Sequence, residues 1–180
     1  MPLIRPSCED DLAAITAIYG HHVLHSTGTF ETEPPSVTDM SARRQDVLAR
    51  GLPWLVMESA DQQVIGFAYC NWFKPRAAYR YSAEDSIYLH PNAAGQDLGR
   101  ALLAELASQA ERAGVRKLIA VIGDSANAAS VGLHQKLGFT PVGTISACGW
   151  KFNRWLDIVL MEKVLGPGAS QAPTNARALS

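Results

Sequence analysis

Apolar and polar positions change their period several times along the chain, and each change marks an element. Leu3 to Arg5 reads as a short strand. Ser7 then stands as an N-cap with Asp10 three residues on, opening a helix whose Leu12, Ile15 and Tyr19 share one face and which fades near Leu24. Beyond Pro34 and Pro35 a second helix is predicted over Val37 to Arg50, stopped by Gly51. Trp54 to Glu58 and Val64 to Trp72 are strand-like runs joined by a polar turn through Asp61, the pattern of a hairpin. Ser86 to Leu89 forms another short strand, ended by His90 and Pro91, and a glycine-bearing loop leads into a helix from Gly99 to Ala113 with Gly114 as its stop. The run Lys117 to Ile122, a helix from Ala128 to Leu137 closed by Gly138, and strands at Phe139 to Ile145 and Trp155 to Glu162 complete the order. From Gly166 onward Gly, Pro, Ala and Ser dominate. Residues 1–165 are therefore read as one domain and 166–180 as a disordered tail, with too little apolar surface to offset its ordering entropy.

Composition narrows the classes of partner. A chain of 180 residues, 47% of them hydrophobic, is long enough to bury roughly 70% of its extended surface. A net charge of -1, without any run of Lys or Arg, lacks the electrostatic footprint of nucleic-acid binding. Cys8, Cys70 and Cys148 lie far apart and form no CxxC pair, which argues against a disulfide framework or zinc site and for a reducing, cytoplasmic compartment. The chain reaches Glu9, Asp10 and Asp11 before any apolar stretch and holds no eighteen-residue apolar run, so neither an export signal nor a membrane span is expected. His21, His22 and His25 have the helical spacing of metal ligands, but no second cluster completes a site. They are read as the end of the first helix, and no metal is expected.

The most informative segment is SIYLHPNAAGQDLGRALL, Ser86 to Leu103. A strand, a glycine loop and an amphipathic helix in this order aim several backbone N–H groups at one point, where the helix N-terminus favours an anion such as a pyrophosphate. Taken alone the segment reads first as an ordinary strand-to-helix turn. A second segment, ANAASVGLHQKLGF from Ala126 to Phe139, again opens a helix after a strand. Together the two resemble the cofactor-binding motifs of the GNAT superfamily of N-acetyltransferases. WLV at Trp54 to Val56, WFKPRAAYRYSAEDSIYLHP from Trp72 to Pro91, AVIGDSANAASVGLHQKLGF from Ala120 to Phe139 and GWKFNRWLD from Gly149 to Asp157 are similar to its phosphinothricin and methionine sulfoximine acetyltransferases. The resemblance covers roughly Ile4 to Leu165. It implies a mixed α+β fold, with a central, mostly antiparallel twisted sheet of six to seven strands flanked by about four helices. It also implies acetyl-CoA as co-substrate, a small-molecule amine as acceptor, and a homodimer with the pocket near the subunit boundary.

The superfamily's loop usually reads Gln or Arg, two residues, Gly, one residue, then Gly or Ala, and here those positions hold Ala94, Asp97 and Gly99. Asp97 weakens pyrophosphate binding unless its side chain points to solvent or caps the helix. The resemblance implies that Ile87, Tyr88 and Leu89 pair with the pantetheine arm and that Gly95, Gln96, Asp97, Leu98, Gly99 and Arg100 hold the pyrophosphate. Asn127 and Ser130 then touch the cofactor from the later helix. Glu84, just before the predicted strand, is either a solvated strand-end carboxylate or, as the resemblance implies, the general base that deprotonates the amine. Asp85 is ranked second, because strand alternation turns it to the other face. His134 is either the acid that protonates the departing thiolate, a cofactor hydrogen-bond partner, or a packing residue. Phe30, Lys74, Arg76 and Tyr79 lie in segments resembling the family's substrate loops, and Lys151, Asn153 and Trp155 either close that pocket or pack the last hairpin. Two other functions stay open: an acetyltransferase for protein N-termini or other amines, and a non-catalytic CoA-binding regulatory domain.

Overall fold

Runs with strand-like alternation come first and last in the chain, and the sheet they make is one. The computed structural model describes residues 2–93 and 97–173. Its strands are β1 (Leu3–Pro6), β2 (Trp54–Glu58), β3 (Val64–Trp72), β4 (Ser82–Leu89), β5 (Lys117–Gly123), β6 (Thr140–Lys151) and β7 (Arg154–Val164). Its helices are α1 (Leu12–His25), α2 (Val37–Ala49), α3 (Leu98–Arg112) and α4 (Ala128–Lys136). Among the described residues the strands form one sheet of order β1-β2-β3-β4-β5-β7-β6. Every neighbouring pair is antiparallel except β4 and β5, which run parallel. This is the mixed, mostly antiparallel architecture expected from the resemblance. No described helix is long and apolar enough to cross a membrane.

Alternation along β4 assigns the helices to faces. Tyr88 packs edge-on against Tyr19 of α1, with ring centroids 4.9 Å apart, whereas Asp85 bonds His134 of α4. Odd and even positions of a strand point to opposite faces, so α1 and α2 cover one side and α3 and α4 the other. Between them Ile15, Phe67, Leu102, Leu106 and Leu118 are fully buried. Each such side chain contributes about 1.5–3 kcal/mol relative to exposure.

Three local expectations shift. Strand β4 begins at Ser82, four residues before the predicted start, so Glu84 lies inside the strand and not ahead of it. Ala83 to Asp85 pair with Trp72–Cys70 of β3, the Ser82 carbonyl accepts from the Phe73 amide at 3.0 Å, and Ser82 to Asp85 pair with Lys117–Ala120 of β5, which overrides weak intrinsic β preference. Ser7 is not the N-cap of the first helical segment, because its hydroxyl accepts from Arg44 Nε at 2.8 Å. Cys8 caps a 3-10 turn, Glu9–Asp11, with its amide donating to Asp11 Oδ2 at 2.7 Å. The last two strands are longer than predicted and meet at Phe152 and Asn153, whose φ of 52° and 59° make a tight two-residue turn. Beyond Leu165, residues 166–169 form turns, and residues 174–180 of the expected tail lie outside the described residues.

Candidate active site

Strands β4 and β5 pair only from Ser82↔Lys117 to Asp85↔Ala120 and then part, β4 continuing to Leu89 and β5 to Gly123. The His90 amide donates to Ile65 O of β3 at 2.8 Å. Because antiparallel bonding alternates, the peptide groups of Ile87 and Leu89 face the gap instead. The Leu89 carbonyl is already taken by His22 Nε2 at 2.8 Å, while its amide points into the gap. At the far end of the gap stands the start of α3, where Leu98 and Gly99 carry amides with no acceptor inside the helix. Gly99 packs closely on β4 and α4: a Cβ there would meet Leu133 at 3.4 Å and Leu89 at 3.5 Å. The gap opens into a cleft of about 1270 Å³. Ile87, Tyr88, Leu89, Asp97, Leu98, Gly99, Arg100, Asn127, Ser130 and His134 all line it. Gly95 and Gln96 lie outside the described residues. Asp97 sits at φ 58° and makes no cap bond; its exposed carboxylate turns to Arg100, 3.5 Å away.

Glu84 lines the cleft and also a second cavity of about 470 Å³. Tyr69 and Ser86 share that double position, and α2 closes the second cavity with Arg43 and Asp46 beside Asn71 and Trp72 of β3. Burial raises the Glu84 pKa above the usual carboxylate range, the Asp85 charge adds to this, and Lys74 opposes it. A carboxyl poised upward in this way is suited to take a proton near neutral pH.

Asp85 and His134 form a buried pair on the wall of the cleft, in which Asp85 Oδ1 has no hydrogen-bond partner among the described residues. His134 is buried, with Nδ1 donating to Ser130 O at 2.8 Å and Nε2 standing 2.9 Å from Asp85 Oδ2. Burial lowers the His134 pKa, but the hydrogen bond and charge of Asp85 outweigh it, and the net shift is upward. The imidazolium form donates on both nitrogens. Asn127 caps α4, its Oδ1 accepting from the Ser130 amide at 3.2 Å.

Of the residues expected around the acceptor, Phe30 lines the cleft. Lys74, Arg76 and Tyr79 belong to the segment joining β3 to β4 and line neither cavity; only the charge of Lys74 reaches Glu84. Sequence reasoning passed over Arg43, Asn71 and Trp72. Asn71 was legible in principle: in a β3–β4 hairpin register it stands directly opposite Glu84. Arg43 was not, because it arrives on a helix.

This gapped sheet with a helix start at the mouth of its cleft is shared with known proteins. The sequence matches the Acetyltransferase (GNAT) family over residues 18–139, and the chain belongs to that family. Enzymes of the family use acetyl-CoA as co-substrate. Among its relatives, a phosphinothricin N-acetyltransferase of Alcaligenes faecalis is 48% identical, over 94% of this chain and 86% of the relative. An L-methionine sulfoximine/L-methionine sulfone acetyltransferase of Salmonella typhimurium is 37% identical, over 93% of this chain and 96% of the relative. A phosphinothricin acetyltransferase of Sinorhizobium meliloti, solved with AcCoA, superposes with a TM-score of 0.94 at 40% identity, covering 97% of this chain and 94% of that one.

Proposed function

We propose that the protein transfers an acetyl group from acetyl-CoA to the amino group of a small amino-acid-like molecule of the phosphinothricin or methionine sulfoximine type, by direct attack in a ternary complex. The observation that carries this reading is the double position of Glu84, on the wall shared by the cleft and the second cavity. Acetyl-CoA supplies a thioester carbonyl. The open edge at Ile87 and Leu89 suits an extended pantetheine arm, added as a strand would be, and the amides of Leu98 and Gly99 suit its diphosphate. Glu84 takes the proton from the acceptor's ammonium, which without that loss has no lone pair to attack with. The Leu89 amide is aimed at the gap, where negative charge develops on the carbonyl oxygen. His134 and Asp85 hold the cleft wall opposite, and protonation of the thiolate by His134 requires it to release Asp85.

The acting form is proposed to be a cytoplasmic homodimer. The sheet ends in β6, whose outer edge is unpaired among the described strands, and Val142, Ile145 and Trp150 of β6 are exposed together with Trp155 of the neighbouring β7. A second copy covering those side chains fits the rarity of such patches on monomers. A thiol-release assay with acetyl-CoA and a panel of phosphinothricin, methionine sulfoximine, ordinary amino acids and a short peptide tests the reading. Turnover of the first two well above the peptide is expected. Preference for the peptide, or release with none of them, overturns it.

A further inference from the structure

We infer that Lys151 is a positioning residue that sets the acceptor side of the site, by pinning residues 26–31 onto the β6–β7 hairpin. The inference rests on the acetyl-transfer reading above. Lys151 is the last residue of β6 and only 4% exposed. Its Nζ donates to Ser26 O at 2.8 Å and to Thr29 O at 2.7 Å, reaching across more than 120 positions of sequence, 125 and 122 respectively. Lysines are almost never buried to this degree unless their charge is matched, since removing an ammonium from water costs several kcal/mol. Two carbonyl oxygens and the face of Phe152, 4.9 Å away, stand in for water around the ammonium, and the Glu31 carboxylate supplies opposing charge, although burial still lowers the Lys151 pKa on balance.

The loop so held is also seated. The ring of Phe30 lies against Gly123 of β5 and Gly149 of β6: a Cβ at Gly149 would overlap it, and one at Gly123 would overlap the Thr27 carbonyl oxygen and come within 2.9 Å of the ring. Neither glycine has a positive φ, so backbone conformation does not call for glycine at these positions. Room for Phe30 does, joined at Gly123 by room for the Thr27 carbonyl of the same loop. From the seat a chain of bonds runs to the second cavity. Thr29 Oγ1 lies 2.9 Å from Tyr19 Oη, which donates to Glu31 Oε1 at 2.8 Å, and Arg43, lining that cavity, grips Glu31 at 2.6 and 3.1 Å. Loosening Lys151 therefore shifts Phe30 and the Glu31–Arg43 pair together, and leaves the start of α3 untouched.

The test is steady-state kinetics of the full chain with acetyl-CoA and methionine sulfoximine, comparing Lys151→Met, Gly149→Ala, Phe30→Ala and the double variant Lys151→Met/Phe30→Ala. Lys151→Met, which removes both charged hydrogen bonds, and Gly149→Ala, which displaces the Phe30 ring, should each raise the acceptor KM by about tenfold or more. The acetyl-CoA KM should stay within about twofold, and Lys151→Met should add little once Phe30 is gone, as expected for groups acting through one another. An unchanged acceptor KM, a parallel rise in acetyl-CoA KM, or a full Lys151→Met effect in the Phe30→Ala background overturns the assignment. If the wild-type chain acetylates no amine, the acetyl-transfer reading fails by itself. Amide exchange of residues 26–31 then decides the latch: faster exchange in Lys151→Met supports it and unchanged exchange refutes it.

Discussion

Glu84 and Asp85 are adjacent carboxylates on one strand, and the fold gives them opposite surroundings. Glu84 faces α1 and α2, borders two cavities and has no protein cation bonded to it among the described contacts; Asp85 faces α3 and α4 and is closed against His134 at 2.9 Å. A shift of one residue in β4 would exchange their roles, because side-chain direction has a period of two. What separates a candidate base from a structural ion pair here is strand register, which is enforced by the eight-residue length of β4 and its partners on both edges.

The largest effect that would sharpen this contrast is on turnover. Glu84→Gln should lower kcat by about 10² to 10⁴-fold with calorimetric acetyl-CoA binding retained; a variant with wild-type kcat would remove Glu84 from the chemistry. Asp85→Asn should act on stability first, costing about 3 kcal/mol in urea unfolding, since it leaves a buried imidazolium without its countercharge. A loss of kcat with unchanged unfolding would mean that the two carboxylates have been assigned the wrong way round. Next come two pH dependences of opposite sign. The raised Glu84 pKa places the acid limb of kcat/KM above 4.5, with activity rising as pH rises through it, and Glu84→Gln should flatten that limb. The raised His134 pKa gives stability that is fully present below 6.5 and is lost as pH rises through the higher folded-state value, a slope that Asp85→Asn should abolish in denaturation measured across that window. Smallest is Asn127→Ala, which removes the cap of the helix carrying His134 and should cost about 1 kcal/mol in thermal unfolding while sparing the Glu84 acid limb.

Much of the framework was legible because periodicity and punctuation agree. Gly114 and Gly138, at φ 91° and 81°, stand just past α3 and α4 as glycine stops should, and the β2–β3 hairpin keeps its predicted bounds. What escaped depends on contacts distant in sequence. Ser82–Asp85 carries no strand signal of its own and becomes strand through neighbours on either side. Ser7 has the chemistry of a cap, but Arg44, 37 residues on, claims it. The glycine loop and Glu84 could be singled out because they lie in contiguous motifs. The bond between His134 and Asp85 spans 49 positions, and the Lys151 contacts span more than twice that, so no local pattern announces them.

The short parallel ladder between β4 and β5 has a mechanical consequence. Only four residue pairs join the half of the sheet from β1 to β4 to the half from β5 to β6. A coenzyme lying along the open seam would act as a stitch between these halves, so occupancy should raise the melting temperature in proportion to the logarithm of its concentration. Without it, the seam is where the molecule is expected to breathe first.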